Sequence, residues 1–219
     1  MFNNDFSLCP VGNEYEVQKI ARRSDHSREE LREMALLAAE QIVVEKGYEG
    51  LSARKVAAAI GYTVGTLYLV FENIDDLILN INARTLDRLH AQMIKSPAMP
   101  GEARDYLLHL GHVYIRYANE DPHRWAMVFE HRFSEDRAVP AWYQEKIARM
   151  FAVVEEGLEP LAGNRPRQEI TQAARAIWGG VHGICILALT DTLGVAGVAS
   201  VQELTRSLIS NYLKGFTED

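Results

Sequence analysis

Ser52 to Phe71 reads SARKVAAAIGYTVGTLYLVF, and the punctuation of this stretch decides the fold. Ser52 can cap a short helix on which Val56, Ala59 and Ile60 share a face, and Gly61 stands where helices most often stop. Thr63 can cap a second short helix, in which Leu67 and Phe71 lie one turn apart and point inward. Gly65, Thr66 and Leu69 then face outward, with Tyr68 and Val64 at the margin. Two short helices joined by a Gly-containing turn, the second with a small and polar outer face, describe a helix-turn-helix.

On the N-terminal side, Ser27-Arg28-Glu29-Glu30 is a capping box, and Leu31, Met34, Ala35, Ala38 and Ile42 follow at helical spacing until Gly47. Three such helices bury too little surface to stand alone, so they are expected to lean on the rest of the chain. Residues 1–25 show no sustained period and contain Pro10 and Gly12. Lys19, Arg22 and Arg23 of this arm suit either phosphate contact or a solvated tail, and both readings stay open. Past the reading head, Asn73, Asp75 and Asp76 place acceptors at the start of a fourth helix carrying Leu77, Ile78, Ile81 and Leu89 and ending before Pro97. That helix would link head to body mechanically. The expected division is an arm at 1–25, a DNA-binding domain at 26–73 and an effector-binding and dimerisation domain at 74–219.

A formal net charge of -7 speaks at first against nucleic acid. Its distribution matters more, because Gly50 to Phe71 holds Arg54 and Lys55 and no carboxylate. An acidic body would turn away from DNA while this small face approached it.

The remainder shows no strand-like alternation, only helical patterns near 102–119, 122–132, 138–158, 167–190 and 200–215, so the expected class is all-α. In the fourth of these, Ala173, Ile177, Gly180 and Ile184 line one side and Ala174, Trp178, Cys185 and Leu189 another. A helix apolar on two sides must be covered twice. One cover is its own domain; the other is expected to be a second copy, joined by Leu204 and Leu208 of the last helix in a four-helix interface, unless the protein's own helices wrap it completely. A two-fold dimer would offer two reading helices about 34 Å apart, which selects a palindromic site.

With 47% hydrophobic residues in 219 the chain reads as a soluble globular protein. The apolar run Ile177 to Leu189 is too short to span a bilayer, and MFNNDFSLCP lacks the layout of a secretion signal. Cys9 and Cys185 give no disulfide framework, so a reducing cytoplasm is the expected setting. No metal site is expected: His109 and His112 have no completing ligands in sequence, and Pro122 interrupts the Glu120-x-x-His123 spacing. No phosphate loop, nucleophile elbow or Cys/His dyad supports an enzyme, and no catalytic residue or cofactor is assigned. An all-helical dimeric adaptor would explain the core, though not the carboxylate-free head.

From Leu31 to Leu77 the chain resembles the TetR family of bacterial transcriptional repressors, through Glu45-Lys46-Gly47-Tyr48, Ser52, Val56-Ala57, Gly61, Gly65-Thr66-Leu67-Tyr68, Phe71 and Leu77. Trp178 with His182-Gly183 is similar to the pattern of one C-terminal subgroup. The resemblance implies a homodimeric regulator bound to operator DNA through Thr63, Gly65, Thr66, Tyr68 and Leu69, with Ser52 and Arg54 on phosphates; a half-buried core aromatic is the other reading of Tyr68. It also implies a cavity for a small apolar or amphipathic effector, for which Tyr114, Trp125, Phe129, Trp178 and His182 are the candidates among many aromatics that could equally be core. The sequence departs from the family at Val64, Val70 and Ile74, where polar or basic residues are usual, which implies few phosphate contacts.

Overall fold

A computed structural model describes residues 26–95, 103–131, 138–197 and 200–218; the arm with Lys19, Arg22, Arg23 and Cys9 lies outside them. Side-chain caps set the starts of the N-terminal helices. The Glu30 N–H donates to Ser27 Oγ, and the Ser27 N–H donates to Glu30 Oε2 at 2.7 Å, so the capping box opens α1 (Arg28–Lys46). Ser52 accepts from the Lys55 N–H to open α2 (Ala53–Ala59), Thr63 from Thr66 to open α3 (Val64–Leu67), and Asn73 from Asp76 to open α4 (Ile74–Met93). The body follows as α5 (Ala103–Glu120), α6 (Pro122–Glu130), α7 (Ala141–Leu158), α8 (Arg167–Leu189), a short α9 (Thr192–Val195) and α10 (Val201–Glu218). Every regular element among the described residues is helical. Pro122 occupies the first turn of α6, which separates Glu120 from His123 as its chemistry requires.

The head closes around Ala35, Leu36, Ala39 and Val43 of α1, Val56 of α2, and Leu67 and Phe71. Leu77, Ile78 and Ile81 of α4 complete this core, and so does Met127 of α6, which has no exposed surface at all. The expected boundary at residue 73 therefore runs through a shared core. Two faces lie slightly rotated from expectation. In α2 Ala57 is buried beside Val56 while Ala59 is exposed, and in α1 Met34, Ala38 and Ile42 sit half-buried at the edge of the inward stripe. A helix of two turns samples too little of the 3.6 period to fix its own orientation.

In the body α8 lies among α5, α7 and α10. The expected dimer residues Ala173, Ile177 and Ile184 are buried within the protomer, as are Ala174 and Cys185 on the other side. Leu208 of α10 packs so closely on Gly180 that a Cβ there would lie 2.5 Å from Leu208 Cδ2. Within the protomer Ala173, Ile177 and Ile184 thus meet the chain's own helices, as does Gly180 where Leu208 lies on it, while Leu189 on the other side stays exposed. What remains open on α8 is a third strip, Ala176, Gly179, Gly183 and Leu187, where a Cβ at either glycine would meet nothing within 4 Å. Apolarity alone cannot tell which of several sides a neighbour covers. As a whole α8 is 23 residues long and passes for a membrane span by length and composition, unlike the run 177–189 alone, but here it is packed against α5, α7, α9 and α10.

Candidate nucleic-acid interface and effector cavity

Gly61 takes φ +75, a left-handed turn that residues with a Cβ rarely adopt, and this swings α3 across α2. Leu67 and Phe71 anchor the segment, at 1% and 2% exposure, while Tyr68 and Leu69 stand out at 42% and 62%. Tyr68 is the C-cap of α3, and it and Leu69 project from the turns that follow the helix. Thr63, Gly65 and Arg54 are exposed, and Thr66 and Ser52 are half-exposed with their backbone ends tied into caps. The seven expected contact residues therefore lie along the two adjoining helix starts and the outer edge of α3; none is a carboxylate, although Glu49 and Asp75 share a surface depression with Ser52 and Tyr68.

Two arginines of α1 that sequence reasoning passed over hold this edge in place. Arg28 donates to the Leu69 carbonyl. Arg32 donates to the Val70 carbonyl at 3.1 Å and to Asn80 Oδ1 of α4 at 2.6 Å, with its guanidinium 4.6 Å over the Phe71 ring. Lys55 Nζ is likewise turned inward, onto the Gly50 carbonyl at 2.7 Å. The partners of the two arginines lie some 40 positions away in sequence, so no local pattern marks them.

Head and body meet along α1, α4 and α6. Glu40 is buried at 3% exposure and faces Arg88 Nη2 at 2.7 Å, with Arg124 at 3.6 Å and Arg84 at 3.8 Å. His123 Nδ1 donates to the Val44 carbonyl at 2.8 Å, which fixes the proton on that nitrogen. His131 pairs through Nδ1 with the Tyr48 hydroxyl at 3.2 Å and approaches Asp75 at 3.6 Å; burial lowers its pKa, against the smaller opposing pull of Asp75.

Behind this joint is a cavity of about 240 Å³. Leu86, Leu89 and Met93 of α4 form one wall, Val128 and Phe129 of α6 another, and Tyr143, Ile147, Met150, Phe151 and Val154 of α7 a third, with Tyr114 and Trp178 at the back. Of the five expected effector residues, Tyr114, Phe129 and Trp178 line it. Trp125 and His182 do not; they support it. Trp125 is 1% exposed and packs edge-on against Tyr114. His182 stacks on Trp178 at 5.1 Å, contacts Phe129 at 4.3 Å between centroids, and shares a hydrogen bond with Tyr114 Oη at 2.9 Å. Burial pushes the Tyr114 hydroxyl up well beyond its ordinary range, against the smaller pull of the Trp178 and Trp125 indoles, and lowers the His182 pKa, so both are uncharged at neutral pH. The α7 residues were missed because Tyr143, Ile147, Met150 and Val154 repeat at a helical spacing that marks any core face equally well.

A helix-turn-helix head that shares its core with a cavity-bearing helical body has the architecture of a one-component transcriptional regulator. Residues 35–81 match the family described as bacterial regulatory proteins, tetR family, and residues 107–212 match the tetracyclin repressor-like C-terminal domain. The chain belongs to the TetR family. The C-terminal match does not single out the Trp-His-Gly subgroup. Among solved structures, the chain is similar to a protein of unknown function from Rhodococcus sp. RHA1, at 19% identity and a TM-score of 0.68, covering 89% of this chain and 98% of that one. It is similar also to the TetR family regulator PfmR from Thermus thermophilus, at 19% identity and a TM-score of 0.58, covering 82% and 97%. The FadR repressor of Thermus thermophilus, solved in complex with lauroyl-CoA, shares 17% identity and a TM-score of 0.63, covering 84% and 94%. No curated protein matches the chain.

Proposed function

We propose that the protein is a cytoplasmic repressor that binds a palindromic operator as a homodimer and is controlled by a small apolar or amphipathic effector in the body cavity. The observation that carries this reading is the outer edge of α3: Gly65, Tyr68 and Leu69 stay in solvent while their neighbours Leu67 and Phe71 are buried. Nothing in folding the head calls for an exposed Leu and Tyr there, whereas a base edge or phosphate does. Thr63 and Tyr68 hydroxyls suit phosphate oxygens, and Leu69 suits a thymine methyl. For the dimer, the open strip of Ala176, Gly179, Gly183 and Leu187 on α8, continued by half-buried Leu204 and Leu208 and exposed Asn211 on α10, offers small residues for close helix contact with a second copy. The protein is read as a regulator, with no catalytic role.

A mobility-shift titration with the DNA upstream of the protein's own gene tests the reading. Thr66→Ala and Tyr68→Ala should each weaken binding about tenfold, a loss of the order of 1–3 kcal/mol expected per base or phosphate contact. Both side chains are at least partly exposed, so unfolding midpoints should hardly move. Wild-type affinity in both variants would favour the adaptor reading instead.

Salt provides a separate check. Arg28, Arg32 and Lys55 are engaged by the head's own carbonyls, and Val64, Val70 and Ile74 carry no charge. Operator affinity should fall by less than about 100-fold between 50 and 200 mM salt, against the roughly 10³–10⁵ of a protein making six to ten phosphate contacts. A fall within that steeper range would mean that cations outside these positions meet the backbone.

A further inference from the structure

We propose that the cavity selects an uncharged, compact aromatic molecule of one or two fused rings bearing one neutral polar function, and rejects carboxylates; the proposal rests on the effector reading above. The lining carries the argument. Among the described residues that line the cavity there is no Lys, Arg, His, Asp or Glu, and the polar groups on the lining are the hydroxyls of Tyr114, which shares a hydrogen bond with His182, and of Tyr143, and the Trp178 indole. Burial holds Tyr114 protonated and pushes Tyr143 up to about 12, so neither hydroxyl brings a charge.

Arg175 does come near, with its guanidinium 4.9 Å over the Phe151 ring. Its charge is already met by Glu155 Oε1 at 3.2 Å and the Thr171 carbonyl at 2.9 Å, and it is not one of the residues that line the cavity. An anion in the cavity would therefore be desolvated without a partner, which is strongly unfavourable.

Size and shape narrow the class further. An apolar cavity of about 150 Å³ holds a benzene ring. The present one, at about 240 Å³, has room for a second fused ring. Beside the aliphatic side chains of α4 and α7 its walls carry five rings, with Trp178 packed on Phe129 at 6.2 Å and on Phe151 at 5.5 Å between centroids, the separations at which a flat guest completes an offset or edge-to-face set. Phe129 and Ile147 are both lining and 38% and 37% exposed, so they form the rim.

The test uses the full-length protein and three probes, 2-naphthol, 2-naphthoate and dodecanoate, with Kd read from quenching of tryptophan fluorescence at neutral pH. 2-Naphthol is expected to bind saturably and at least about 30-fold more tightly than 2-naphthoate, with dodecanoate no better than the latter. Ile147→Lys places a cation on the exposed rim, where it should not disturb folding, and is expected to bring 2-naphthoate to within about threefold of 2-naphthol. Equal or tighter binding of either carboxylate by the unmodified protein, or no saturable binding of 2-naphthol, would overturn the proposal. Operator affinity is measured with the same probes: a carboxylate that binds and shifts operator affinity sinks the aromatic class and leaves the effector reading standing. Selective binding of 2-naphthol with no such shift upholds the ligand class and sinks the effector reading.

Discussion

Met127→Ala is expected to lower stability by about 2–5 kcal/mol, the cost of a cavity in a well-packed core, and to disconnect the effector site from the reading head. The side chain belongs to α6, yet it is fully buried among Leu36, Val43, Leu67 and Ile81 of the head. The next two residues, Val128 and Phe129, line the cavity. A displacement of α6 by a bound guest is therefore delivered directly into the head's packing, and truncating Met127 opens a gap that absorbs it. Urea unfolding should show a lower midpoint at unchanged slope, and any effector that releases wild-type protein from its operator should do so less completely. Met127→Leu keeps the volume and should cost less than about 1.5 kcal/mol with coupling retained. A similar loss of coupling in both variants would show that shape at this position is not what transmits the signal.

Glu40→Ala should cost about 3 kcal/mol, by the opposite physics. Glu40 is a buried carboxylate on α1 that faces Arg84 and Arg88 of α4 and Arg124 of α6. Its removal leaves three guanidinium groups converging on a site without a counter-charge, of which Arg124 keeps a second partner in Asp121 at 2.7 Å and Arg84 one in Glu33. Because the damage is repulsion between like charges, thermal unfolding of the variant should improve more with added salt than that of the parent. A variant as stable as the parent in low salt would show that the arginines relax into solvent.

These two positions also mark where the sequence is legible and where it is not. The head could be read locally: Ser27, Ser52, Thr63 and Asn73 cap what they were expected to cap, and Leu67 and Phe71 are inward because helical geometry leaves no alternative once Gly61 ends the preceding helix. Nothing local announces that Met127 belongs to the head, that Arg32 serves Val70, or that Glu40 gathers arginines from two other helices, since each is a meeting of segments tens of residues apart. The cavity lay between these extremes. Aromatic enrichment pointed to Tyr114, Phe129 and Trp178, but Trp125 and His182 carry the same chemistry one turn along the same helices and fall behind the wall instead of on it. The sides of α8 are hard to assign for a related reason: Ala173 and Ala174 are small, as Ala176 and Gly179 are, yet only the latter pair faces outward.

Arg32 ties the segment that follows α3 to α4 through one side chain, with contacts to Val70, Phe71 and Asn80 at once. Such a rivet leaves the head no internal slack: it tilts with the beginning of α4 or stays put, as one block. Under the control proposed above, an effector would alter only the stance of two such blocks against the duplex and leave untouched the chemistry by which each block chooses its bases. Affinity and sequence preference would thus be adjustable separately in this protein, the one from its torso and the other from its reading edge.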